Sequence, residues 1–244
     1  MICIIQHNSK KHKIDLSKPL DISIPLRFTK NNVVAWYQKT PTFKTIRSVA
    51  KKNSTNFNSI NFSPHAHGTH TECVGHITKE FISINQSLKQ FFFMAEVITV
   101  VPEKFEKDFV ISKKQLQYAI GNKKRQAIII RTLPNIDEKL SKDYSNTNPP
   151  YLLEEALIYL REKNVQHLLF DMPSIDKEKN DGKLLAHKAF WNFDGEIRYN
   201  ATITEFVFVP NHIEDGTYFL NMQIAPFENN ATPSKPVLYQ ILHD

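Results

Sequence analysis

Apolar and polar residues alternate along much of the first hundred residues, and this pattern predicts strands. Residues 2–7 and 12–16 are predicted to pair as a hairpin around a turn at 8–10. Between residues 20 and 26 every second position is apolar, which is the period of a half-buried strand. The remaining extended segments predicted in this part of the chain are 33–37, 57–63 and 91–101.

A helix with a defined start and end is predicted next. Ser112 and Gln115 have the spacing of a capping box, in which each side chain binds a free backbone N–H at the start of a helix. Gly121 follows the last apolar residues of this segment, and glycine commonly ends helices. The helix is therefore expected to lie between Ser112 and Gly121.

The second half of the chain alternates between extended and helical patterns. A helix opened by Pro149-Pro150 and running through Leu160 lies between two short apolar segments, 127–131 and 167–171. A strand, a helix and a strand of these lengths predict a right-handed parallel crossover. Further predicted elements are a helix over 183–192 and strands over 202–209, 218–224 and 236–242.

These elements predict a mixed α/β fold in which helices pack around a largely β core, a mixed sheet or barrel. Neither a repeat nor a linker separates them, so residues 1–244 are expected to form a single domain. With 41% hydrophobic residues, the chain can bury its own core without disulfide bonds. Two cysteines are too few for a disulfide scaffold, and the lack of a recognisable export signal predicts a cytoplasmic protein.

The chain carries a net charge of +6, but the kind of cation argues against a nucleic-acid partner. Lysines outnumber arginines by 25 to 6 and are scattered, whereas arginine is the residue that forks onto phosphates and guanine edges. The longest apolar stretch, 91–101, is interrupted by Glu96 and is shorter than the ~20 residues of a membrane-spanning helix. The sequence therefore predicts neither a nucleic-acid nor a membrane partner.

Four of the ten histidines and two of the six glycines lie between residues 65 and 76. Imidazole and carboxylate groups are ligands for Zn²⁺, Mn²⁺ and Fe²⁺, so this density indicates a metal or catalytic site rather than a polar loop. Residues two apart on an extended segment point the same way, which places His70, Glu72 and His76 on one side. His65 and His67 have the opposite parity and are expected to point elsewhere unless the backbone bulges.

Two ligands from one strand do not complete a metal site, because catalytic zinc usually has three protein ligands. The downstream candidates are His187 and Glu205, and a lone carboxylate such as Glu205 is costly in an apolar strand. A surface position on a helix for His187 and an edge position for Glu205 remain open alternatives. Cys73 lies between Glu72 and His76 and permits a Cys–His nucleophile, although a strand would turn its side chain away from both.

The segment Gly68-Thr69-His70-x-Glu72, followed by His76, resembles the signature of the cyclase family of metal-dependent hydrolases. This family includes bacterial kynurenine formamidases and isatin hydrolase. The resemblance continues in Ile129-Ile130-Arg131-Thr132, Asp171-Met172-Pro173-Ser174-Ile175-Asp176, Leu185-Ala186-His187 and Thr204-Glu205. It implies a β-rich fold of the swivelling β/β/α type and a divalent metal centre, zinc or manganese. It also implies hydrolysis of an amide or formamide bond in a small-molecule substrate.

By position, the resemblance implies a role for each motif residue. His76 falls at the family's catalytic histidine and is expected to act as the general base. The implied metal ligands are His70, Glu72, His187 and Glu205. Asp171, Ser174 and Asp176 are expected either to structure their loop, to position the ligands or to bind substrate. The resemblance further implies a homo-oligomer, either a dimer or a tetramer.

The chain departs from the family pattern at two positions. The family's first ligand histidine falls on Ala66, and its aspartate is replaced by Glu72. The loss at Ala66 favours one bound ion over two, with His65 and His67 as candidate additional ligands on either side. The leading hypothesis is a metal-dependent amidohydrolase. The alternative is a catalytically impaired binding protein of the same fold with a depleted metal site.

Overall fold

In the computed structural model, which describes residues 1–242, strands outnumber helices. The strands are β1 (Ile2–His7), β2 (Lys10–Asp15), β3 (Leu20–Asp21), β4 (Thr42–Arg47), β5 (Phe57–Asn61), β6 (His70–Glu72), β7 (Phe92–Val100), β8 (Glu103–Phe105), β9 (Asp108–Ile111), β10 (Ala127–Thr132), β11 (Tyr151–Leu152), β12 (His167–Phe170), β13 (Thr202–Glu205), β14 (Gly216–Ile224) and β15 (Ala231–Leu242). The helices are α1 (Ile84–Ser87), α2 (Lys113–Ile120), α3 (Glu154–Glu162) and α4 (Leu185–Trp191).

Seven of these strands form a closed, barrel-like sheet in the order β15-β14-β7-β10-β12-β13-β6, and β6 pairs back onto β15. Strands β7, β10, β12 and β13 pair in parallel, whereas the other pairings in the ring are antiparallel. Outside the ring, the β1–β2 hairpin joins β15 through β2, and β4 pairs with β5 as a separate ribbon. Because closure removes the edges of the sheet, even the short strands β6 and β13 are buried.

Strand β10 shows how the core is divided between two faces of the sheet. Ile128 and Ile130 pack in a cluster with Leu157 of α3, whereas Ile129 packs in a second cluster with Leu220 of β14. A parallel strand covered on both faces has a continuous apolar sequence, which is the pattern of β10. None of the helices within residues 1–242 combines the length and the apolar character needed to cross a lipid bilayer.

The structure confirms the elements with the clearest local signals. The predicted hairpin forms from β1 and β2 around Asn8 and Ser9, both of which have positive φ values. Helix α2 ends before Gly121, and the side chain of Gln115 accepts a hydrogen bond from the N–H of Ser112 at its start. Strands β10 and β12, joined through α3, pair in parallel. Each of these elements was predicted from residues that are close together in the chain, so the local sequence was enough to identify it.

The strand predicted over 20–26 is shorter in the structure. Strand β3 ends at Asp21, and after a single bridge at Ser23 the chain leaves the sheet. The N–H of Ile24 donates to Oγ1 of Thr69 at 2.7 Å rather than to a neighbouring strand. The alternation therefore marked burial correctly but not the pairing of strands.

Two further predictions fail for local backbone reasons. Residues 33–37 do not form a strand, because Trp36 and Tyr37 have positive φ values that turn the chain. The helix predicted to open at Pro149-Pro150 begins instead at Glu154, after the two-residue strand β11 has paired with β9. The ribbon β4–β5 is predicted only in its second strand. The residues of both strands are exposed, so no alternation of buried and exposed positions marks the first strand.

Candidate metal centre

The histidine-rich segment folds as a short strand between two 3₁₀ turns. Residues Pro64–Ala66 form the first turn, strand β6 follows, and Val74–His76 form the second turn. Strand β6 lies between β13 and β15, so its residues are buried. Gly75 has no room for a Cβ atom, because the backbone of Ile82 lies against it. This contact fixes the path of the turn that carries the last histidine of the segment.

The carboxylate of Glu72 is the centre of a cluster of ionisable side chains. Glu72 is fully buried, and its Oε1 lies 3.1 Å from Nε2 of His187 on α4. Its Oε2 lies 3.1 Å from Nδ1 of His65 and 3.8 Å from Nδ1 of His76. Three imidazoles therefore surround one buried carboxylate.

A second buried carboxylate, Glu205 at the end of β13, completes the cluster. Glu205 pairs with His70 in the register between β13 and β6, and its Oε2 lies 3.4 Å from Nε2 of His70. Its Oε1 accepts a hydrogen bond from the N–H of Ile175 at 2.9 Å and lies 3.8 Å from Nε2 of His187. The cluster thus joins residues of β6, β13 and α4 that are far apart in the sequence.

Hydrogen bonds to groups around the cluster fix which nitrogen of two histidines faces inward. Nδ1 of His70 donates to the carbonyl oxygen of Gly68 at 3.0 Å, and Nδ1 of His187 donates to Asp176 at 2.5 Å. In the neutral form of each ring, the lone pair of Nε2 is therefore directed at the buried glutamates. A histidine that donates its second N–H to a carbonyl or a carboxylate is typical of metal sites.

The spacing of these atoms fits a divalent cation. Two ligands bound at about 2.1 Å to one ion lie about 3.0 Å apart in octahedral geometry and about 3.4 Å apart in tetrahedral geometry. The contact between His187 and Glu72 measures 3.1 Å, and that between His70 and Glu205 measures 3.4 Å. Within residues 1–242, Nε2 of His70 and Oε2 of Glu72 are buried without a hydrogen-bond partner. A cation would satisfy both atoms, whose burial is otherwise costly.

The charges of the cluster favour a positive group between the carboxylates. Burial raises the pKa of Glu72, but the surrounding histidines, His76 foremost, outweigh burial and hold the pKa well below its usual range. Burial lowers the pKa of His187, but its hydrogen bonds to Asp176 and Glu72 raise it to about 10. Burial, together with the charge of Glu72, raises the pKa of Glu205. Either a protonated histidine or a bound cation can supply the positive charge.

His76 differs from the other histidines of the cluster. Its side chain is 31% exposed, and its ring makes no hydrogen bond with residues 1–242. The charge of Glu72 raises the pKa of His76, but burial and the nearby charged imidazoles outweigh it and lower the pKa to about 4. His76 is therefore neutral at pH 7, and no hydrogen bond within residues 1–242 occupies the lone pair of its ring.

A cavity of about 340 Å³ lies beside the cluster. His76 and His187 contribute to its lining, and Trp36 and Leu184 add apolar surface. This volume falls within the range of about 300–1,000 Å³ that is common for small-molecule sites. The cavity therefore gives a small ligand access to the cluster.

His65 faces the cluster, contrary to the direction predicted from strand parity. The 3₁₀ turn interrupts the alternation of a strand, so Nδ1 of His65 faces Glu72. His67 does point away from the cluster, and its Nδ1 accepts a hydrogen bond from the N–H of Ser63 at 2.8 Å. Ala66 is buried between these two histidines.

Of the three residues expected either to structure their loop or to serve the site, two lie at the cluster. Asp176 binds His187, and Ser174 lines the cavity while its Oγ accepts a hydrogen bond from the N–H of Asp176. Asp171 does not join them, because it forms a buried ion pair with Nζ of Lys139 at 2.8 Å. Asp171 therefore stabilises the fold beyond the end of β12 rather than the cluster.

One contact of the cluster has no signal in the sequence. Oδ1 of Asn230 lies 3.0 Å from Nε2 of His65, and this contact depends on the pairing of β15 with β6. Cys73 takes no part in the cluster, since its Sγ donates to the carbonyl oxygen of Ile82 at 3.4 Å. Burial raises the pKa of the Cys73 thiol, which opposes its use as a nucleophile.

Comparisons with known proteins show which proteins this chain resembles. The sequence profile described as "Putative cyclase" matches residues 14–177. Kynurenine formamidase of Bacillus cytotoxicus is 23% identical over 225 residues, covering 91% of this chain and 97% of that protein. Among solved structures, isatin hydrolase A from Labrenzia aggregata, bound to benzyl benzoate, superposes with a TM-score of 0.70 at 13% identity, covering 92% of this chain and 94% of that one. A predicted metal-dependent hydrolase from Bacillus stearothermophilus superposes with a TM-score of 0.67 at 16% identity, covering 91% and 98%.

The solved structures show that the closed, strand-rich fold of this chain is also theirs. The matched profile contains the whole histidine-rich segment and extends as far as the loop that carries Asp176. Because that profile spans more than half of the sequence, the chain belongs to the cyclase family.

Proposed function

We propose that this protein is a metal-dependent hydrolase of an amide or formamide C–N bond. His70, Glu72, His187 and Glu205 would hold a divalent cation. The observation that carries the proposal is the orientation of His70 and His187, each of which donates one N–H to an oxygen and presents its other nitrogen to two buried glutamates. The names of two relatives, a kynurenine formamidase and an isatin hydrolase, support this class of reaction.

The residues of the chain divide the chemistry between them. A divalent cation in such a site supplies Lewis acidity, which favours the attack of water on a carbonyl carbon. His76 accepts the proton of the attacking water, since its ring is neutral at pH 7 and unconstrained by hydrogen bonds within residues 1–242. It then donates that proton to the leaving nitrogen, so that the C–N bond breaks to give a neutral amine.

The cavity favours a small substrate with a planar group. The ring of Trp36 lines it, and the Nε1–H of Trp36 donates to the carbonyl oxygen of His65 at 3.2 Å, which fixes the ring. A fixed aromatic ring stacks well against an aryl group of a ligand. Aryl formamides and cyclic aryl amides are therefore the substrate classes to test first.

The first experiment measures metal content and turnover together. The protein is purified without chelators or a histidine tag, and its metal is quantified before assays with N-formylkynurenine and isatin. We expect a divalent cation to copurify, and we expect a chelator to abolish hydrolysis and Zn²⁺ or Mn²⁺ to restore it. A protein that carries no cation and takes none up on titration would contradict the proposal.

The same assay separates the enzyme from a catalytically impaired binding protein, the alternative favoured by the replacement of a family ligand at Ala66. A binding protein would retain a cation or a ligand and show no turnover with any divalent metal across the substrate panel. Turnover above the metal-free control would exclude this alternative.

Replacing Asp176 with asparagine is expected to weaken cation binding about 10- to 100-fold. The carboxylate of Asp176 accepts hydrogen bonds from Nδ1 of His187 and from the N–H groups of Ala186 and His187. Asparagine keeps the shape of the side chain but lacks the negative charge. In the unaltered protein this charge orients the ring of His187 and raises the basicity of that ring. Equilibrium dialysis with Zn²⁺ measures the affinity, and the control is Asp108→Asn, which neutralises a buried aspartate that pairs with Lys177 outside the cluster. An unchanged affinity in Asp176→Asn would refute the positioning role.

A further inference from the structure

His65 lies in the cluster although the family pattern has no ligand at its position. The pattern's first histidine falls on Ala66, whose side chain has no ligand atom. The 3₁₀ turn Pro64–Ala66 rotates the chain so that His65 takes the inward direction, with its Nδ1 3.1 Å from Oε2 of Glu72. An imidazole from the neighbouring position thus reaches the carboxylate at the centre of the site.

Asn230 selects the nitrogen that His65 presents to Glu72. Nε2 of His65 lies 3.0 Å from Oδ1 of Asn230, and an amide oxygen only accepts hydrogen bonds. Nε2 therefore carries the proton, and in the neutral ring the lone pair of Nδ1 faces the carboxylate. His70 and His187 are oriented in the same way by the carbonyl oxygen of Gly68 and by Asp176.

The facing atoms of His65 and Glu72 have room between them for a positive species, either a proton or a metal cation. Oε2 of Glu72 is buried and accepts no hydrogen bond within the described residues 1–242, although Nδ1 of His65 is near. Nδ1 of His76 lies 3.8 Å from the same oxygen. The ligand atoms of His65, Glu72 and His76 all lie within 4.8 Å of one another, and those of His70, Glu72 and Glu205 form a second such group. Glu72 is the residue shared by the two groups.

We propose that His65 is a metal ligand of this chain: with Oε2 of Glu72 it binds a second divalent cation, and Asn230 holds its ring for this purpose. This inference rests on the proposed function, because the first cation belongs to the group around His70 and Glu205. It assigns two ions to the chain, despite the loss of a ligand at Ala66. Glu72, the residue shared by the two groups of ligand atoms, would then contribute to both sites.

The test counts ions rather than turnover. Metal-free protein is dialysed against Mn²⁺ at rising concentrations, and the bound Mn²⁺ is measured by mass spectrometry. We expect two ions per chain for the unaltered protein and one for His65→Ala. For Asn230→Ala we expect a second ion that binds about 10- to 100-fold more weakly. The matched control is His67→Gln, which changes a histidine of the same segment that faces away from the cluster and should keep both ions.

The outcomes separate this inference from the proposed function. One ion in the unaltered protein would overturn the role of His65 and leave the proposed function standing, whereas no ion would overturn both. Two ions retained in a folded His65→Ala variant would also overturn it. Anomalous scattering from Mn²⁺ in crystals of the unaltered protein decides the question without any variant, because an ion must then lie at bonding distance from Nδ1 of His65.

Discussion

Replacing Glu72 with glutamine is expected to remove the bound cation and to lower kcat/KM by at least about 10³-fold. The carboxylate of Glu72 is fully buried, and its two oxygens face the rings of His187, His65 and His76. Glutamine has the same shape but no charge, so the site loses the one group that all three rings share. Loss of several kcal/mol of Lewis-acid stabilisation corresponds to about 10³-fold or more in rate.

Metal analysis of purified Glu72→Gln and kinetics at saturating Zn²⁺ or Mn²⁺ measure this prediction. The control is Glu96→Gln. Glu96 is another buried glutamate, which lies on β7 and forms ion pairs with Lys123 and Arg125. We expect the control to lose some stability and to keep its cation. If Glu72→Gln bound the cation with unaltered stoichiometry and affinity, Glu72 would not be a ligand.

The fold was predictable where a local pattern and the tertiary structure agree. A short apolar run predicts a buried strand, and a glycine after a helical pattern predicts the end of a helix. The structure confirms both predictions, at β10 and after α2. The prediction over 20–26 failed because alternation reports burial rather than pairing. The side chain of Ile24 is buried in the core, but its N–H donates to the side chain of Thr69 instead of to a neighbouring strand. Pairing with a strand that is distant in the chain is a non-local property, which the alternation of residues 20–26 does not report.

The residues of the site were likewise predictable where a local pattern applies and not where a distant contact decides. His70 and Glu72 lie on β6, where the argument from strand parity applies, and both face the cluster. His65 lies on a 3₁₀ turn, which has a different period from a strand, so strand parity predicted the wrong direction for its side chain. Asn230 reaches His65 only because β15 closes the sheet against β6. That closure pairs strands from opposite halves of the chain, and no local pattern in the sequence predicts this pairing.

Replacing His76 with alanine is expected to lower kcat by about 10²- to 10⁴-fold while the cation stays bound. His76 is the cluster histidine without a hydrogen bond within residues 1–242, and it lines the cavity where a substrate would lie. The other rings are held by hydrogen bonds, as His70 is by Gly68 and His187 by Asp176. A constrained ring suits a ligand, whereas a ring that is free to exchange a proton suits a general base.

Stopped assays of kcat, together with metal analysis of the same preparation, measure this prediction. The alanine variant leaves space at the edge of the cavity, so added imidazole should restore part of kcat by taking the place of the lost ring. This rescue distinguishes a lost base from a distorted site, because a small soluble base cannot repair a misplaced ligand. If His76→Ala lost its cation, or kept kcat within a few-fold of the unaltered enzyme, His76 would not be the base. Proton transfer would then have to be assigned to a different group lining the cavity.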